Sequence, residues 1–90
     1  MNSRRAPDDS TVTLDKLPVQ SMATIRHIHT MTEDGVALKR RLMELGFVPG
    51  AQVQMLRSVL TGRGPFAVRV GTSTFAMRKL ESSLIEVLPA

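Results

Sequence analysis

From Met22 to His29 apolar and polar residues nearly alternate, with Ala23, Ile25 and His27 on one side of an extended segment. Ile28 breaks the alternation, and a β-bulge near Arg26 or His27 would restore it by inserting one extra residue. The period then changes. Leu38, Leu42 and Leu45 recur at i, i+4 and i+7, with Met43 beside them, which predicts a helix carrying one apolar stripe. Lys39, Arg40, Arg41 and Glu44 fill its other side. Thr32 or Asp34 can cap its start by accepting hydrogen bonds from free backbone N–H groups. Gly46 sits where a left-handed residue ends a helix.

Phe47-Val48-Pro49-Gly50 comes next, and Pro-Gly at the two corner positions predicts a type II turn. Val53 and Met55 then alternate with Gln52 and Gln54, and a second pattern runs from Leu56 to Leu60. A loop at Gly62-Arg63-Gly64-Pro65 precedes Phe66, Val68 and Val70, which alternate with Ala67 and Arg69 as a half-buried strand does. Gly71-Thr72-Ser73 reverses the chain into a strand from Thr74 to Lys79, with Phe75 and Met77 inward. A polar turn is expected at Glu81-Ser82-Ser83, then a last strand holding Ile85 and Val87. The order is strand, helix, four strands. A flat sheet this small leaves edges and one face unprotected, whereas about five coiled strands can wrap into a small barrel with the helix over one end. The expected fold is therefore mainly β, an SH3-like barrel with one inserted α-helix.

Residues 1–11 are polar and without periodicity, which predicts a disordered tail, so the single domain is expected to span 12–90. Ninety residues with 42% apolar content suffice for one compact core but not for a deep substrate cavity as well. With no cysteine, disulfides, thiolate metal sites and cysteine nucleophiles are excluded. No apolar run approaches the roughly 20 residues that span a bilayer, and Arg4-Arg5 lead into no apolar stretch of a signal peptide. A cytoplasmic protein that does not insert into membrane is the expectation.

The net charge of +4 is unevenly spread. Lys39, Arg40, Arg41, Arg57, Arg63, Arg69, Arg78 and Lys79 lie between Gly35 and Lys79, against the acid Glu44. Such a surface could meet nucleic acid, anionic lipid or an acidic protein face, or simply keep a small domain soluble. Stacking on single-stranded nucleic acid needs aromatic platforms; Trp and Tyr are absent, and Phe66 and Phe75 belong to the expected core. No nucleophile elbow, Walker lysine or helix-borne Glu-His pair is present, so no catalytic residue and no cofactor are assigned. His27 and His29 flank Ile28 and could clip a borderline metal, with Glu33 or Asp34 as a third ligand. Ile28 claims the core, which places both rings in solvent unless the strand bulges, and no metal site is assigned.

The stretch Arg40-Arg41-Leu42-Met43-Glu44-Leu45-Gly46-Phe47-Val48-Pro49-Gly50 resembles the FeoA family, in which an arginine-rich helix ends in Leu-Gly and leads through Pro-Gly to a Val-rich strand. The similarity continues through Val53-Gln54-Met55-Leu56-Arg57, Phe66-Ala67-Val68-Arg69-Val70, Phe75-Ala76-Met77-Arg78-Lys79 and Ile85-Glu86-Val87. It implies an SH3-like barrel acting in the cytoplasm as an accessory of bacterial ferrous iron uptake, by contact with the FeoB-type Fe(II) permease. A similar barrel ends iron-dependent repressors, but the residues before Val12 could not encode a helix-turn-helix, so the free-standing form is expected. The residues expected to touch the partner are Lys39, Arg40, Arg41, Phe47, Val48 and Pro49, an apolar cluster rimmed by cations. For Phe47 the alternative is that it folds beneath the helix as a staple. Two rival functions stay open: a regulatory nucleic-acid-binding module, or a weak metal-binding sensor. Exposed barrel edges also leave room for a weak homo-oligomer.

Overall fold

The computed structural model describes residues 10–30, 33–57 and 65–90. The chain runs through β1 (Val12–Thr13), a 3-10 turn (Leu14–Lys16), β2 (Met22–Ile28), α1 (Glu33–Glu44), β3 (Gln52–Arg57), β4 (Phe66–Val70), β5 (Ser73–Met77), α2 (Lys79–Ser83) and β6 (Ile85–Pro89). All six strands join one antiparallel sheet in the order β1-β6-β2-β3-β4-β5. The final strand therefore lies inside the sheet, between β1 and β2. The sixth strand, beyond the five expected, is β1, whose two residues are too few to show a period. Most of the expected tail and the 62–64 part of the expected loop lie outside the described residues, as do residues 58–60 of the second strand pattern.

Strand alternation predicts the core well because each face of a strand has a period of two. Val53 and Met55 on β3, Phe66, Val68 and Val70 on β4, and Ile85 and Val87 on β6 are all buried. The register of β2 against β6 slips between Ile25 and His27, so the expected bulge is present. The extra residue lets both Ile25 and Ile28 point inward and turns His27 out. A second slip, between Met55 and Arg57 against β4, explains why the alternation changes after Met55.

Two expectations need correction. Leu45 was to complete the helical stripe, but it is 42% exposed while Leu42 is buried and Leu38 packs at the core margin. The reason is the helix ending. Phe47 N–H bonds to the Leu42 carbonyl at 3.0 Å and Gly46 N–H to that of Met43 at 3.0 Å, the paired bonds of a Schellman motif. Gly46 takes φ +112°, and the reversal brings Phe47 under Leu42 into the place Leu45 would have covered. The expected polar turn at Glu81-Ser82-Ser83 is instead α2. Arg78 N–H donates to Glu81 Oε1 at 2.8 Å, and the fully buried Ser82 donates its hydroxyl to the Arg78 and Lys79 carbonyls. Local hydrogen bonding thus lets a serine be buried without an orphaned donor. The Thr32 or Asp34 cap involves side chains outside those described.

Candidate functional site

The type II turn forms as expected: Ala51 N–H bonds to the Val48 carbonyl at 3.0 Å, with Gly50 at φ +92°. It sets Val48 and Pro49 beside the outer side of α1. There Val36, Lys39, Arg40, Met43, Glu44 and Val48 line a shallow concavity of about 420 Å³. Val36 is 53% exposed and Met43 39%, so apolar surface stays in water on the helix side facing away from Leu38 and Leu42. Among the described residues the ion pair within 4.0 Å is His29–Glu86, so Lys39, Arg40 and Glu44 have no described charge partner there.

The six residues expected to touch a partner are thus split three ways. Lys39, Arg40 and Val48 converge on this concavity, and Pro49 is exposed at its turn. Arg41 points elsewhere, into a second concavity with Phe75, Ala76 and Arg78. Phe47 is fully buried, its ring centroid 5.5 Å from that of Phe75, which corrects its place among surface anchors. The staple alternative describes it. Val36 and Met43 also line this concavity but are not among the residues expected from the sequence, because the leucine stripe alone does not tell which way the rest of the helix faces.

The remaining polar constellation holds β1 to the sheet. Thr11 donates its hydroxyl to Glu86 on β6, and His29 Nε2 lies 2.9 Å from the other carboxylate oxygen. The His27 and His29 rings meet edge to face at 4.6 Å. The Thr11 hydrogen bond, with lesser help from His29 and His27, holds the Glu86 carboxyl below the usual carboxylate range against some desolvation. No group of three or more metal-ligating side chains converges among the described residues. A further concavity, about 800 Å³ between β3, β4 and the helix end, has Arg69 as the ionisable group among its described lining residues. No described helix is long and apolar enough to cross a membrane.

Comparison with known families settles what this arrangement belongs to. The family model of the FeoA domain matches residues 12–89. The chain belongs to the FeoA family. The solved FeoA of Stenotrophomonas maltophilia, an SH3 domain protein complexed with zinc, is 36% identical over 84% of this chain and 88% of its own, with a TM-score of 0.76. FeoA of Chlorobium tepidum is 29% identical, covers 87% of this chain and 70% of its own, and gives a TM-score of 0.73. A manganese-dependent transcriptional repressor shares the fold alone, at 14% identity and a TM-score of 0.75 over 89% of this chain and 42% of its own. A comparison with curated protein sequences finds no match. The FeoA membership makes this an SH3-like barrel protein related to ferrous iron transport, as the resemblance in its sequence implied.

Proposed function

We propose that this FeoA protein is a non-catalytic cytoplasmic accessory of ferrous iron uptake that docks on the cytosolic region of the FeoB-type permease through the outer face of α1. The observation that carries the reading is the concavity of Val36, Met43 and Val48, solvent-exposed in part and rimmed by Lys39 and Arg40. Exposed apolar side chains ringed by charge are how a small surface gains both contact energy and orientation. Pro49 extends this face, and Phe47 supports it from within. Arg41 belongs to a different side and is not needed for this contact. Among the described residues, these three concavities place no nucleophile beside a base, which favours contact over chemistry. The protein would reach the inner face of the membrane through its partner.

Titrating isotope-labelled protein with the GTP-binding region of the permease tests this by NMR. Shifts should concentrate on Val36 to Pro49. Unchanged spectra at high partner concentration would remove the proposal. Retention on non-specific DNA with steep salt dependence would favour the nucleic-acid reading instead.

A further inference from the structure

The sheet ends at β5, and among the described residues no strand pairs with its outer side. Across β4 its register is Val70 with Ser73, Val68 with Phe75 and Phe66 with Met77, joined by the two-residue loop Gly71-Thr72. In such a hairpin the residues flanking the loop exchange both hydrogen bonds, and the pattern repeats every second residue. The backbone groups of Ser73, Phe75 and Met77 are therefore spent on β4, while those of Thr74 and Ala76 point away from the sheet. Among the described residues nothing guards this edge: β5 reads Ser-Thr-Phe-Ala-Met, with no proline, no charge and no bulge.

The edge also borders a built groove. A concavity of about 430 Å³ runs between β5 and α1, with Leu45 and Phe75 contributing apolar surface and Arg41 and Arg78 contributing charge. Both arginines are exposed, and neither has an ion-pair partner within 4.0 Å among the described residues. Glu81, the acid of this groove, is engaged by the backbone N–H of Arg78.

We infer that β5 accepts an extended acidic segment of a partner protein as a seventh strand, its backbone pairing with Thr74 and Ala76 and its carboxylates meeting Arg41 and Arg78. Main-chain pairing supplies affinity and the flanking cations choose the sequence, the division of labour in β-strand addition. This surface is separate from the outer face of α1, so either contact can exist without the other.

The probe is a fluorescein-labelled octapeptide of alternating glutamate and valine, followed by anisotropy and by amide exchange. Binding should slow exchange of the Thr74 and Ala76 amides and leave those of β2 unchanged. Ala76→Pro removes an outward donor while sparing the ladder to β4, and should weaken binding by roughly tenfold or more. Arg41→Glu, on an exposed helix position that does not threaten folding, should reverse the preference toward a lysine–valine peptide. Three results would overturn the inference: no binding at millimolar peptide, binding of the glutamate peptide by both variants as tight as by the parent, or protection of Thr74 and Ala76 that rises with protein concentration alone. The last would assign the edge to a second copy of this chain.

Discussion

In the barrel strands Val53, Met55, Val68, Ile85 and Val87 are sealed from water, whereas on α1 Val36 and Met43 stand half in solvent. One chain thus treats apolar side chains in two ways. The strands spend most of theirs on the core, although Met22 at the start of β2 stays 44% exposed and Phe75 on β5 is only half-buried. The helix needs only Leu42, with Leu38 at the margin, to hold itself against the barrel. Its other large apolar residues, Val36 and Met43, with Leu45 just past its end, keep a large part of their surface in water, and an exposed apolar group costs solubility. On the proposed reading, the contrast separates what makes this protein fold from what would let it bind.

The contrast is sharpest at Phe47, one residue after the helix-ending glycine. Phe47→Ala should cost about 3–5 kcal/mol, because a fully buried ring is lost beneath the helix. Urea unfolding would show it, and a loss under about 1 kcal/mol would mean that the helix end is not part of the core. Gly46→Ala should come next. Its Cβ would meet Val70 at no closer than 3.8 Å, so space is adequate and the penalty is conformational, about 1–2 kcal/mol at φ +112°.

Thr11→Ala probes the seam that ties β1 to β6 and should be smaller still. Here the sign depends on pH. The native carboxyl of Glu86 is held below its ordinary value, so its contribution is complete above the ordinary glutamate range and disappears as pH falls through the lowered value. The variant should therefore be less stable than the parent at neutral pH and converge with it in acid. Unfolding curves that stay parallel at every pH would deny Glu86 this role. Smallest of all is the change at α1: Val36→Ser or Met43→Ser should alter stability by no more than about 0.5 kcal/mol.

The sequence makes these two regions unequally readable. Strands β2 to β6 were legible because alternation is a local signal, and even the bulge was visible as Ile28 falling out of phase. The helix was legible, but its last turn was not. A stripe read at fixed spacing cannot register that Gly46 reverses the chain and hands the inner position from Leu45 to Phe47. For the same reason the candidate site was half read. Lys39, Arg40 and Val48 were found from charge and turn chemistry, while Val36 and Met43 emerge only once the direction of the helix against the barrel is known. Adjacent arginines were also grouped by sequence, although neighbours on a helix lie about 100° apart, and Arg40 and Arg41 serve different grooves.

The separation of folding from docking is tested most directly by a double variant, Val36→Ser with Met43→Ser, expressed in bacteria whose own FeoA gene has been removed. Its melting temperature should match the parent, yet Fe(II) uptake through the permease should fall to the level of cells lacking the protein. Full uptake by the folded double variant would contradict the account.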